Sequence, residues 1–192
     1  TPEASQFYSL LRQEIDERVR LGKGPITPDG EMGEEKYRLV TEGPPNWTSF
    51  RDFWKMFYDE GAVVVASTYS KVGGLYDFGF RHDADNPLES LADYCLGCYT
   101  NLNLPSRIDM ICKYIDEYQA DGLLINSIKS CNSFSAGQLL ILREVEKRTG
   151  KPAAFIETDL VDPRYFSAAN VKNRLESYFQ MIKQKRAAGV AH

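Results

Sequence analysis

Hydrophobic positions change period several times along this chain, and each change marks an element. Over residues 4–21, Tyr8, Leu11, Ile15 and Val19 recur at helical spacing and predict an amphipathic helix. Residues 22–35 carry Gly22, Gly24, Pro25, Pro28, Gly30 and Gly33, which predicts a linker or long loop and marks the best candidate boundary within the chain. From Tyr37 the pattern becomes repetitive. Tyr37 to Thr41 predicts a strand, followed by the turn Gly43-Pro44-Pro45-Asn46. Thr48 or Ser49 is placed to cap a helix with Phe50, Phe53, Trp54 and Phe57 on its apolar face, and Gly61 to stop it. Ala62 to Ala66 is an uninterrupted apolar run, the pattern expected of a strand covered on both faces. A long polar segment runs from Ser67 to Asn86.

Two helices are expected at about 87–96 and 106–119, with Pro87 and Pro105 in first-turn positions where proline is tolerated. Leu123 to Ile125 predicts a third strand. Ser135 is expected to cap a helix running to Arg148, with Gln138 completing a capping box and Gly150 ending it. Ala153 to Ile156 predicts a fourth strand, and Ser167 caps a last helix to Lys185 with Val171, Leu175, Phe179 and Ile182 facing inward. Alternating strands and helices predict an α/β fold: a four-stranded or slightly larger parallel sheet with helices on both faces, a flavodoxin-like open sheet. The expected organisation is a helix and linker over 1–35 and an α/β domain over 36–192. Right-handed crossovers place every strand's carboxyl end on one rim, where open α/β sheets carry their chemistry. The rim loops are 42–48, 67–86, 126–134 and 157–166.

Composition narrows the classes. With 192 residues, 43% hydrophobic and 12% aromatic, the chain buries a core without disulfide staples and is not disordered. A net charge of -4 with no basic stripe argues against nucleic acid as a partner. No apolar run approaches the ~20 residues of a membrane helix, so no membrane role is expected. The start, Thr1-Pro2-Glu3, is acidic and unlike a signal peptide; without an initiator Met it is expected to be a processed product or part of something longer. Cys95, Cys98, Cys112 and Cys131 do not make a disulfide framework. They point to a reducing cytoplasm, where cysteine serves as core filler, metal ligand or nucleophile.

The most informative rim loop is Asn126 to Phe134. Cys131 lies just past a buried strand and about four residues before the predicted capped helix, whose amino terminus favours a thiolate or an anionic cluster; Lys129 adds positive charge nearby. A half-buried loop cysteine without function fits the position equally well. Nucleophilic chemistry would need a base, and the two histidines offer little: His192 is terminal, and His82 lies in the 67–86 loop, either solvated or folded over the rim. Cys95-Leu96-Gly97-Cys98 is a C-x-x-C that suits zinc, a redox pair or, with Cys131, three corners of an iron–sulfur cubane, but it stands at the end of a helix rather than after a strand. Cys112 shares the stripe of Ile108, Ile111 and Ile115 and is expected in the core. Glu157, Asp159 and Asp162 follow the last strand; they can serve as bases or ligands, or hold the loop through backbone N–H groups and Arg164. Neither a G-x-G-x-x-G nor a G-x-x-x-x-G-K-[ST] occurs, so the usual dinucleotide and ATP loops are missing.

These residues resemble a known family. Asp121-Gly122 through Cys131, then Ser135-x-Gly137-Gln138, Gly150-Lys151-Pro152, Glu157-Thr158-Asp159, Asp162-Pro163-Arg164 and the stretch Asn173 to Phe179 are similar, in order and spacing, to the benzoyl-CoA reductase / 2-hydroxyacyl-CoA dehydratase family. Upstream, Thr41-x-Gly43-Pro44-Pro45 and Gly61-Ala62-Val63-Val64 continue the likeness, which spans about 37–183. The resemblance implies the carboxy-terminal domain of a two-domain subunit holding a [4Fe-4S] cluster between its domains. Cys131 matches the one cysteine ligand that this domain supplies in the family; Cys95 and Cys98 match no ligand position. The cluster is expected to be incomplete or absent in this stretch alone. It further implies a homologous second subunit, a separate ATP-hydrolysing iron–sulfur activator, and low-potential electron transfer to a CoA thioester whose carbonyl accepts the electron as a ketyl radical. Lys-Ser-Cys followed by Ser-x-Gly-Gln looks closer to the reductase branch, which reduces an aromatic ring, than to the dehydratases. The alternatives are a dehydratase subunit, or a non-catalytic subunit-docking or thiol redox module.

Overall fold

The computed structural model describes residues 1–26, 30–70, 76 and 78–189. Its centre is a four-stranded parallel sheet of β3 (Tyr37–Glu42), β4 (Ala62–Ser67), β5 (Gly122–Ile128) and β6 (Ala153–Thr158), in the order β4-β3-β5-β6. This is the doubly wound arrangement expected from the alternation. The chain crosses from β3 outward to β4, then returns to place β5 on the other side of β3. The strand order therefore reverses between β3 and β5, and the crevice outside their carboxyl ends is the topological switch point.

The two faces carry separate cores. Helices α4 (Leu104–Glu117) and α6 (Gln138–Thr149) cover one, with Ile111, Tyr114, Ile115, Ile141 and Val145 packed on Val40, Leu123 and Ile125. Helices α2 (Phe50–Asp59) and α7 (Ala168–Gly189) cover the other, with Phe53, Phe57, Leu175, Tyr178, Phe179 and Ile182 against Tyr37, Leu39, Leu124 and Ile156. Neighbouring residues of β5 point to opposite faces and both are filled, so all seven of its residues are buried. That accounts for the apolar run at Leu123 to Ile125.

The run at Ala62 to Ala66 has a different origin. Strand β4 is the sheet edge, and Val63, Val64 and Val65 are only half-buried. The β3 register jumps from Leu39↔Val64 to Val40↔Ala66, leaving Val65 as an extra residue in a bulge. The expected loop of residues 22–35 supplies part of the edge's cover. Strands β1 (Lys23–Ile26) and β2 (Met32–Glu34) pair as an antiparallel ribbon, and Gly24 comes so close to Val63 that a Cβ there would clash. Pro28 lies outside the described residues. Helix α1 (Pro2–Arg20) forms as predicted, but none of its residues is buried: Tyr8 is 68% and Ile15 51% exposed.

A second departure concerns the helix after Cys131. Instead of one helix capped by Ser135, the chain makes a single turn, α5 (Asn132–Ser135), and breaks at Gly137, whose φ is +83. It restarts as α6, so the Ser135–Gln138 capping box does not form. Helix α3 (Pro87–Leu96) and a 3-10 turn at Tyr99–Asn101 lead into α4.

Side chains knot the rim ends of three strands together. Asn126 Nδ2 donates to the Pro44 carbonyl at 2.6 Å, and Asn126 Oδ1 accepts from Thr158 Oγ1 at 2.9 Å. Gly43, at φ +95, lets the β3 end lie against β5; a Cβ there would run into the Asn126 carbonyl oxygen. Gly43→Ala is expected to lower stability by ~3 kcal/mol or more in urea denaturation, combining left-handed backbone strain with a clash against backbone. A loss below ~1 kcal/mol would show that this junction is not held tightly.

Candidate functional site

At the switch point the polar groups are buried rather than exposed. Glu42, the last residue of β3, is fully buried. Its Oε2 accepts from Gln138 Nε2 at 2.5 Å and its Oε1 from the Tyr99 hydroxyl at 3.2 Å. The Arg107 guanidinium lies 5.2 Å over the Tyr99 ring and donates to the carbonyls of Leu102, Thr100 and Ser133. Burial lifts the Glu42 carboxyl to about 7, against the pull of the Gln138 and Tyr99 hydrogen bonds and the Arg107 charge. Burial, with the Glu42 charge behind it, also holds the Tyr99 phenol protonated far above its usual range. The Oε1 of Gln138 and the Nδ2 of Asn46 are buried without a hydrogen-bond partner among the described residues. The Asn46 Oδ1 accepts from Thr48 Oγ1 and the Ser49 N–H just before α2, whose N-cap Ser49 makes no side-chain capping bond.

Cys131 stands at the same rim. Its backbone continues from β5, its N–H donates to the Ile128 carbonyl at 3.1 Å, and it is the N-cap of α5 with no side-chain capping bond. The residue is half-buried, one side packed against the core of the α4 and α6 face. The sulfur is thus neither sealed in the interior nor free in solvent. The electrostatic setting differs from expectation in two respects. A one-turn helix, not a long one, follows the thiol. The Lys129 ammonium is engaged at 3.7 Å by Glu157 and at 4.9 Å by the Tyr165 ring.

Asp159 Oδ2 accepts from the Ser130 N–H, and Oδ1 from the N–H groups of Val161 and Asp162, which hold its carboxyl below the usual range. Asp162 is bound by the Arg164 side chain and held near about 2. Both acids therefore shape the loop, and through Ser130 Asp159 fixes the approach to Cys131. Cys112 is buried in the core, as its stripe predicted. Cys95 is exposed at the end of α3, and Cys98 is half-buried with its thiol directed to the Tyr94 carbonyl at 3.6 Å; both are free thiols. Among the described residues no three of His, Cys, Asp and Glu come together, so Cys95, Cys98 and Cys131 do not assemble a metal site. His82 is exposed, its ring nitrogens facing the Tyr76 hydroxyl at 2.7 Å and Ser90 Oγ at 3.4 Å. His192 lies outside the described residues.

Sequence pattern alone does not single out Glu42. A single acid ahead of Gly-Pro-Pro looks like the start of a solvated turn. The usable signal was its place: the last residue of a strand at the point where the sheet order reverses.

One cysteine at the rim fits a cluster as a single corner and no more. Whatever else holds such a group must come from outside the described residues. Beside the rim an open apolar cleft of about 460 Å³ runs along the β4 edge, lined by Trp47, Phe50, Trp54, Tyr58, Val63 and Tyr69. Trp47, 52% exposed, stacks on Phe50 there.

Comparison with known proteins places the chain among relatives. The model of the family described as 2-hydroxyglutaryl-CoA dehydratase, D-component, matches residues 1–182. A benzoyl-CoA reductase subunit of Thauera aromatica is 78% identical over 187 residues, covering 97% of this chain and 43% of that protein. The (R)-2-hydroxyisocaproyl-CoA dehydratase alpha subunit of Clostridioides difficile is 26% identical over 96% of this chain and 42% of its own length. The alpha subunit of (R)-2-hydroxyglutaryl-CoA dehydratase of Acidaminococcus fermentans is 24% identical over 94% of this chain and 35% of its own. The chain thus spans less than half of each of these relatives.

The buried carboxyl makes stability depend on pH in a defined sense. The folded pKa of Glu42, about 7, lies above its ordinary value of 4.5, so between these values the folded chain keeps a proton that the unfolded chain has lost. Its contribution to stability therefore falls as pH rises through that window, by on the order of 3 kcal/mol in total. Glu42→Gln is expected to gain on the order of 2 kcal/mol relative to the parent between pH 5 and pH 8. Urea denaturation of both proteins at the two pH values measures this; parallel pH courses would refute the ionisation assigned to Glu42.

Proposed function

We propose, because this chain belongs to the 2-hydroxyglutaryl-CoA dehydratase D-component family, that it is the carboxy-terminal domain of a longer two-domain subunit of a [4Fe-4S] enzyme that reduces the aromatic ring of benzoyl-CoA. The observation that carries the reading is the 78% identity, over 97% of the chain, to a protein named as a benzoyl-CoA reductase subunit. The dehydratase relatives share 24–27%. That gap favours the reductase over the dehydratase. The bound cluster would supply low-potential single electrons to the CoA thioester.

The chain's own part is to hold and shape. Cys131 gives one thiolate ligand from the rim, with Asp159 fixing the backbone before it and Arg107 the carbonyl of Ser133 after it. The switch-point knot of Asn126, Pro44 and Thr158 keeps the β3 and β5 ends from spreading. The exposed apolar side chains of α1 and the aromatic cleft beside β4 support a chain that is covered by further protein, its own amino-terminal domain or the homologous second subunit. No described helix is long and apolar enough to cross a membrane. A separate ATP-hydrolysing iron–sulfur protein as electron donor, and a cytoplasmic location, complete the reading.

The test is made on the full-length subunit containing this chain, prepared anaerobically with its partner subunit. The parent is expected to carry iron and to consume reductant in proportion to benzoyl-CoA converted. Cys131→Ala is expected to lose most of the iron and at least ~100-fold in activity, as for removal of a ligand or of its support. Unchanged iron in Cys131→Ala would refute the ligand assignment. Loss of water from a 2-hydroxyacyl-CoA without net consumption of reductant would refute the reductase reading, because dehydration is redox-neutral and ring reduction is not.

A further inference from the structure

We infer that Glu42 is the positioning residue of the Cys131 segment, holding residues 131–138 in place from the opposite side of the switch point. The inference deepens the reading above, since it takes Cys131 to be the working thiolate. The segment needs an external hold. Helix α5 is a single turn of four residues, too short to be stable alone, and Gly137 at φ +83 cuts it off from α6.

Two arms supply that hold, and both converge on one carboxyl. In the first, Gln138, the first residue of α6, donates to Glu42 Oε2 at 2.5 Å across 96 residues of sequence. In the second, the Tyr99 hydroxyl donates to Glu42 Oε1. The Tyr99 ring stacks on Phe134 of α5, with centroids 5.7 Å apart and planes at 25°. Arg107, packed over the same ring, donates from Nη1 to the Ser133 carbonyl at 2.9 Å. So Ser133, Phe134 and Gln138 are all tied, directly or through other side chains, to the end of β3. Asp159 holds Ser130 independently of this network. A buried acid is costly wherever apolar packing would serve, so a network of fully buried carboxyl, amide and phenol is one that fixes geometry.

The test reads thiols rather than turnover. The full-length subunit is freed of iron with a chelator under anaerobic conditions. Iodoacetamide alkylation of each cysteine is then followed by peptide mass spectrometry. Glu42→Ala is expected to speed alkylation of Cys131 by at least about tenfold, the equivalent of ~1.4 kcal/mol and the lower end of what a hydrogen bond to a charged group contributes. Core Cys112 is expected to keep the parental rate. Glu42→Gln is expected to stay within about threefold of the parent, because its amide can pair with the Gln138 amide, whose Oε1 is free.

An unchanged Cys131 rate in Glu42→Ala would overturn the inference. So would a rise matched at Cys112, which reports general loosening. If Glu42→Ala does not fold, Gln138→Met carries the test under the same two criteria, since it removes one arm and leaves the carboxyl in place. The outcome is independent of the cluster: retention of iron by Cys131→Ala would remove the ligand reading and leave the positioning of the loop standing.

Discussion

The constraint on which this structure turns is an acid buried at the end of a central strand. Glu42 sits where β3 and β5 part company and is shielded from water on every side. Such a group is tolerable only if its oxygens are satisfied, and they are satisfied by residues brought from two distant parts of the chain, Tyr99 and Gln138. The network dictates local backbone. Gln138 opens α6 directly after the break at Gly137, with its side chain pointing into the protein and onto the carboxyl. Tyr99 must lie flat beneath α5, which seats Phe134. The rim geometry around Cys131 follows from where a buried carboxyl finds donors.

Much of the fold was legible because period and punctuation agree in this sequence. Gly61 and Gly150 end their helices as expected, and Val171, Leu175, Phe179 and Ile182 face inward because helical spacing leaves no other choice. The failures share a cause: local pattern does not say what lies across space. Valines in β4 look like a doubly covered strand, yet their cover is partial, a ribbon and a helix against an edge. Ser135 and Gln138 have capping-box spacing, but a buried carboxyl 96 residues upstream competes for the amide and wins. A hydrogen bond to a carboxyl in a dry environment outweighs a solvated cap.

The site was legible unevenly. Cys131 drew attention through its position on the rim, where the structure places it, and through its match to a family pattern. Geometry marks it better than electrostatics does, since Lys129 pairs with Glu157 and only one helical turn follows the thiol. Cys95 and Cys98 carried the more familiar motif, yet they do not join Cys131. Glu42, the residue that organises the rim, had no motif at all, because what marks it is burial, and burial of a lone acid is a property of the fold.

A domain that contributes one ligand to a shared centre faces a problem that a self-contained metal site does not. In a closed site the metal itself holds its ligands in register. On the reading proposed for Cys131, no set of donors among the described residues would hold it in register, so its place must be fixed before anything binds. Hydrogen-bonded side chains around the segment would meet this demand: Asp159 on one flank, Arg107 and Gln138 on the other, and Glu42 beneath. Preorganisation of that kind would account for so much polar chemistry being buried beside Cys131 at the rim.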